Sequence, residues 1–228
     1  WIEPVNKNYI TDFRCTPLFD QGSVEFNIKT KSAEKNTKIM IQISFGDTLI
    51  AEDIITVNNI ETKRIYDIFQ KKIFRGCTHG SGWTWTPENP NLFDVTLTLI
   101  TDDKVSDKIE SYFGMRKIHT ENGKVYLNNR PYYQRLVLDQ GYWPDSLMTA
   151  PSDEDFKKDI ILAKQMGFNG CRKHQKIEDR RFLYWADKLG YLVWSEMPST
   201  ISYDSNSVSR ITNEWIESVD RDYNHPCI

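Results

Sequence analysis

Residues 152–194 read SDEDFKKDIILAKQMGFNGCRKHQKIEDRRFLYWADKLGYLVW, and the change of period within this stretch decides the fold. Ser152 stands where a hydroxyl caps the first turn of a helix, and Asp153, Glu154 and Asp155 suit its positive end. Phe156, Ile160 and Ala163 then form one apolar stripe, which Gly167 stops. Strand-like Phe168-Asn169-Gly170-Cys171-Arg172 follows at once. The unit repeats: Phe182, Trp185, Ala186 and Leu189 fall at i, i+3, i+4 and i+7, Gly190 supplies the stop, and Tyr191-Leu192-Val193-Trp194 is the next apolar strand. Strands and helices that alternate with short connections wind a parallel sheet.

The pattern extends in both directions. Upstream, the turn signals Glu121-Asn122-Gly123 and Asn128-Asn129-Arg130-Pro131 frame a hairpin, and residues 134–139 read as a buried strand. Downstream, a third helix is expected from about 208 to 223 with Ile211, Trp215 and Val219 inward, and Cys227-Ile228 reads as the start of a fourth strand. From residue 1 to about 112 the period is instead two: Val24, Phe26 and Ile28, then Ile39, Ile41, Ile43 and Phe45, then Val95, Leu97 and Leu99. About seven strands fit between the turn signals, as in an immunoglobulin-like β-sandwich. The fold class expected is therefore multidomain β plus α/β, with a sandwich over 1–112 and a strand-helix domain over 113–228. The period does not choose between a closed barrel and an open sheet.

Composition narrows the function. The 228 residues carry 29 basic and 32 acidic side chains, a formal charge of -3 that gives no footprint for nucleic acid. A mean hydropathy of -0.57 with 27% charged residues argues against a membrane span. Cys15, Cys77, Cys171 and Cys227 are too scattered for a zinc knuckle or a redox pair and read as reduced thiols. Glycine-rich phosphate loops, GxSxG elbows and HExxH helices are absent, which sets aside nucleotide, esterase and zinc-protease chemistry. No metal and no cofactor is expected. The opening Trp1-Ile2-Glu3-Pro4 has neither an initiator Met nor a charged-then-apolar leader, and reads as the middle of a longer protein.

In parallel sheets, ligand groups project from the loops after the strand C-termini. That rule nominates residues 139–144, 172–175 and 195–198, with Asn224-His225-Pro226 before the fourth strand. Glu196 closes a strand and could act as acid or base, orient a partner, or simply form a buried ion pair with Arg172. Asp139 could bind sugar hydroxyls or cap its loop. Trp143 could stack on a pyranose face or lie as a lid over the core. His174 and Gln175 are polar where a site belongs, without a second ligand at metal spacing. Lys173 is read as a helix-capping or solvated residue. His79 and His119 lie outside these loops and receive no role.

Several motifs together resemble glycoside hydrolase family 2, the β-galactosidases, β-glucuronidases and β-mannosidases. Trp85-Thr86-Pro87-Glu88-Asn89-Pro90-Asn91-Leu92-Phe93 is similar to that family's W-x-P-x-x-P-x-L-Y segment, Phe113-Gly114-Met115-Arg116 to its F-G-x-R link, and Asn128-Asn129-Arg130-Pro131 to its N-G-x-P turn. Asp159 through Arg172, Asp187 through Tyr191, and Arg221-Asp222-Tyr223-Asn224-His225-Pro226 resemble further stretches in the same order. Trp1-Ile2-Glu3 resembles the exit of the family's N-terminal domain. The resemblance implies an immunoglobulin-like sandwich followed by the first part of a (β/α)8 TIM barrel, taken from an exo-acting retaining β-glycosidase. It also implies two catalytic glutamates, both beyond Ile228, so the chain holds no catalytic residue and is expected to be inactive alone.

Asp139, Trp143, Arg172, Gln175, Glu196 and His225 are then the expected substrate-binding residues, and the implied partner is a carbohydrate, with homo-oligomers possible and neither nucleic acid nor membrane expected. Gln175 stands where many β-galactosidases carry histidine, and the first loop lacks the usual G-x-N-x-H pattern. Two other classes compete: a non-catalytic carbohydrate-binding or interaction module, and an unrelated α/β enzyme using Asp139 and Glu196 as acid and base.

Overall fold

The computed structural model describes residues 2, 4–77 and 82–228. Trp1, Glu3 and His79, each named above, lie outside the described residues. The chain divides into two compact units, one of residues 1–84 with 91–117 and one of residues 85–90 with 118–228.

The first unit contains β1 (Ile10–Leu18), β2 (Ser23–Thr30), β3 (Thr37–Phe45), β4 (Thr48–Thr56), β5 (Glu61–Asp67), β6 (Phe93–Thr101) and β7 (Lys104–Phe113). They pair antiparallel in two sheets, β1-β2-β5 and β4-β3-β6-β7. The period-two residues do what their pattern requires: Val24, Phe26 and Ile28 on one sheet, and Ile39, Ile41, Ile43, Val95, Leu97 and Leu99 on the other, bury their side chains in one shared core. Aromatic rings fill its centre. Phe93 stacks on Phe113 at 4.9 Å, and Phe113 meets Phe26 edge-on at 5.8 Å.

The second unit opens with β8 (Ile118–Glu121), β9 (Lys124–Leu127) and β10 (Arg130–Pro131), a small antiparallel sheet in the order β10-β9-β8. Three parallel strands follow, β11 (Leu136–Asp139), β12 (Gly170–Lys173) and β13 (Leu192–Trp194), in the order β11-β12-β13. Between and after them run α1 (Asp153–Gln165), α2 (Arg180–Leu189) and α3 (Ser205–Asp222). Ser152 caps α1 as expected, its hydroxyl accepting from the Asp155 amide, and Gly190 ends α2 in the left-handed region at φ 70°. The fourth strand expected at Cys227-Ile228 is not formed among the described residues; one backbone bond, from the Val193 amide to the Cys227 carbonyl at 2.7 Å, ties this segment to β13.

Residues 85–90 belong structurally to this second unit, although the sequence places them among the sandwich strands. Trp85 is fully buried, and its indole N–H donates to the Asp187 carbonyl at 2.9 Å. Lys164 of α1 donates to three carbonyl oxygens, those of Pro87, Leu189 and Gly190, at 3.1, 2.5 and 2.7 Å. One ammonium thus uses all three of its protons to join the segment to the end of α2.

α3 departs from expectation. It starts at Ser205 because Asp204, not read as a cap, accepts from the amides of Asn206 and Ser207. Trp215 and Val219, expected inward, are 38% and 48% exposed and line an apolar cleft of about 530 Å³. A periodic stripe says which side of a helix is apolar, not whether another element covers it.

Candidate functional site

Parallel register sorts the strand residues onto two faces. Leu138, Arg172 and Trp194 stand side by side across the sheet, as do Val137, Cys171 and Val193 one position earlier. The second set faces the helices: Cys171 and Val193 are buried, and the Cys171 thiol is pushed up to about 12 by that burial. The first set lies open, with Leu138 55% and Trp194 58% exposed. Arg172 therefore projects from the open face at the C-terminal end of its strand.

Glu196, two residues past β13, meets Arg172 there. The Arg172 Nε donates to Glu196 Oε2 at 2.8 Å, and Nη2 lies 2.7 Å from the same oxygen. The expected ion pair exists, but it is not buried, since the two side chains retain 44% and 26% exposure. Both groups sit in contact with solvent on the open face, a cation and a carboxylate available to hydroxyl groups of a ligand.

Asp139 is not brought to this pair. It follows the parity of Cys171 and Lys173, so its carboxylate turns to the helix side, where Lys173 Nζ binds Oδ2 at 2.5 Å and the Gly141 amide binds Oδ1 at 2.7 Å. Lys173, read from sequence as capping or solvated, is only 2% exposed. Its ammonium also lies 2.9 Å from Glu178 and 3.9 Å from the centre of the Phe182 ring. Burial alone would lower this lysine's pKa, but Glu178 and Asp139 outweigh it and hold the group above its ordinary value. Lys176 completes the set, 3.0 Å from Glu178 and donating to the carbonyls of Gly141 and Met148. Sequence reasoning missed Glu178 and Lys176 altogether. For Lys173 the available signal was parity, since a lysine two places after a buried cysteine on one strand enters the same interior; Lys176 and Glu178 lie in the loop after β12, where no alternation of faces applies.

Of the remaining nominees, Gln175 is exposed in the loop after β12, with a left-handed backbone at φ 51°. Trp143 is half-buried in the loop after β11, edge-on to Phe156 at 6.3 Å, in a turn closed by paired hydrogen bonds with Leu147. Both stand in loops that follow strand C-termini, as Glu196 does, with the Trp143 ring against α1. His225 does not. It follows α3 and pairs through Nδ1 with Asp187 Oδ2 at 2.5 Å, while Asp187 Oδ1 accepts from the Cys227 amide at 2.9 Å. Asp187 lies in the last turn of α2, just before β13 begins, so His225 sits at the opposite end of the strands as a fastening between α2 and the chain end. Among the described residues, no group of three or more His, Cys, Asp or Glu side chains is placed to hold a metal.

Comparison with known proteins agrees with this architecture. Residues 8–116 match the model of the glycosyl hydrolases family 2. A β-galactosidase of Thermoanaerobacter pseudethanolicus is 27% identical, over 100% of this chain and 30% of its own length. Among solved structures, the FMN-binding β-glucuronidase from Facaelibacterium prausnitzii superposes with a TM-score of 0.80 at 20% identity, covering 98% of this chain and 35% of that one. The GH2 β-galacturonidase from Eisenbergiella tayi, bound to galacturonate, gives 0.77 at 21% identity, covering 98% and 40%. The chain thus spans less than a third of the length of the curated β-galactosidase it matches.

Proposed function

We propose that the chain, whose residues 8–116 match the glycosyl hydrolases family 2, is part of a retaining exo-β-glycosidase of that family, supplying an immunoglobulin-like sandwich and the opening strand-helix units of a (β/α)8 barrel. The observation that carries this reading is the solvent-accessible Arg172–Glu196 pair on the open face, at the strand ends where barrel enzymes hold their substrates. Retaining glycosidases work by double displacement, one carboxylic acid protonating the leaving oxygen and a second carboxylate attacking the anomeric carbon from about 5 Å away. No such pair stands on this rim: Asp139 and Glu196 point to opposite sides of the sheet, which also disfavours their acting together as acid and base. Both glutamates belong to chain beyond these residues. Arg172 and Glu196, with Trp143 and Gln175 beside them, form one wall of the sugar pocket.

The test has two arms. The 228-residue chain leaves a panel of nitrophenyl β-glycosides unhydrolysed, whereas a full-length enzyme containing it hydrolyses at least one. Turnover by the isolated chain would overturn the assignment. In the full-length enzyme, Glu196→Gln and Arg172→Met each lower kcat/KM by about tenfold or more. Recovery of the Glu196→Gln variant by azide or formate would instead make Glu196 the acid or base itself.

A further inference from the structure

Two loops at the strand ends are joined by buried charge. One, residues 140–150, carries Trp143; the other, residues 174–179, carries Gln175. Lys176 belongs to the second loop, yet its ammonium donates to Gly141 and Met148 carbonyls of the first, at 2.8 and 2.5 Å, and keeps its third contact for Glu178 at 3.0 Å. Glu178, 1% exposed, continues to Lys173, and Lys173 to Asp139 at the root of the first loop. The four charges balance, two lysines against two carboxylates. The His174 amide adds a backbone link to the Asp139 carbonyl at 2.9 Å. Gly141 lets the loops approach this closely: a Cβ there would lie 2.5 Å from the Lys176 nitrogen and 2.8 Å from a Glu178 oxygen. Its φ of 64° is itself a left-handed conformation that side chains disfavour.

An isolated surface loop of this length is ordinarily mobile and must be ordered when a ligand binds. Here the ordering is built into the free chain. We propose that Lys176, with Glu178 and Lys173, is a positioning residue that fuses loops 140–150 and 174–179 into one preformed wall, so that Trp143 and Gln175 meet a sugar without reorganisation. The inference rests on the reading of this rim as a sugar pocket. Its signature is cross-loop coupling: a change in one loop loosens the other.

Hydrogen exchange on the 228-residue chain tests it directly. In Lys176→Met, amides of both loops exchange at least about tenfold faster than in wild type, while those of β2, β3 and β6 are unchanged. Gly141→Ala attacks the same lattice from the first loop and accelerates residues 174–179 as well. If either substitution loosens only its own loop, or neither loop changes, the proposal falls. A second arm separates it from the reading beneath it. In the full-length glycosidase, Lys176→Met raises KM about tenfold with kcat held within about twofold, the pattern of lost ground-state preorganisation. Coupled exchange with both constants unchanged would keep the two-loop lattice and overturn the assignment of this rim to the sugar.

Discussion

Arg172 and Lys173 are neighbours in sequence and opposites in energetic role. Arg172 bonds Glu196 in contact with water, where an ion pair gains little over its hydrated components. A double-mutant cycle with Arg172→Met and Glu196→Gln should give a coupling free energy of about 1 kcal/mol or less in urea unfolding of the chain. A larger value would make the pair a structural device. Lys173 lies in the interior with Asp139 and Glu178, and its removal leaves two carboxylates poorly compensated. Lys173→Met should therefore cost about 3–5 kcal/mol in the same assay. The sign with pH follows from the raised pKa of Lys173: its stabilisation is complete below the ordinary lysine value near 10.4 and fades as pH climbs through the higher folded value. The stability gap between wild type and Lys173→Met should accordingly be flat near neutrality and narrow only above about pH 10.4. A gap that widens there would contradict the assignment. Position at a strand end nominated both residues. Only the alternation of faces separates them, and that alternation was legible once Cys171 was taken as core.

At the scale of elements, legibility followed the number of local determinants. α1 announces itself by a cap, a stripe and a glycine stop, whereas α2 shows only its stripe and its Gly190 stop in the sequence, and its start rests on a cap at Asp179 that the pattern did not name. α3 depended on a cap at Asp204 that its polar surroundings concealed, and its apolar stripe, expected inward, lies open. The segment Trp85–Pro90 was illegible as a piece of the second unit, because its partners Asn128, Lys164 and Asp187 are 43, 77 and 102 residues away. Motif resemblance marked it, but periodicity could not. Its attachment makes a specific expectation at Gly190. An added Cβ would lie 2.4 Å from the Pro87 carbonyl oxygen, on a backbone already left-handed at φ 70°. Gly190→Ala should destabilise the second unit by about 2 kcal/mol or more, and Lys164→Met by a similar amount as three carbonyls lose their donor. Exchange of α2 amides, read by mass spectrometry, should rise in both variants and leave β2 and β6 unaffected. Equal protection in wild type and variants would show that the segment is merely adjacent.

For the molecule as a whole, the decisive feature is a parallel sheet finished on one face only. Parallel sheets in globular proteins are covered on both faces, because their strands are apolar on both. Here the helices cover Cys171 and Val193, whereas Leu138 and Trp194 face solvent, and Trp215, Ile216 and Val219 of α3 remain uncovered. β11 is moreover an edge strand among the described residues, beside a cleft of about 470 Å³ whose walls include Ile160, Leu162 and Met166. An apolar face next to an open strand edge is the combination that recruits another chain when nothing closes it. In the glycosidase proposed above, further barrel strands would close it. The isolated 228-residue chain should instead self-associate, its weight-average sedimentation coefficient rising with concentration into the tens of micromolar range. Because Trp194 lies on the open face and away from the core of either unit, Trp194→Lys should suppress that association without lowering the unfolding midpoint by more than a few degrees. A wild-type chain that sediments as a monomer throughout would mean that this face is satisfied as it stands, and the case for a larger barrel completing it would lose its physical basis.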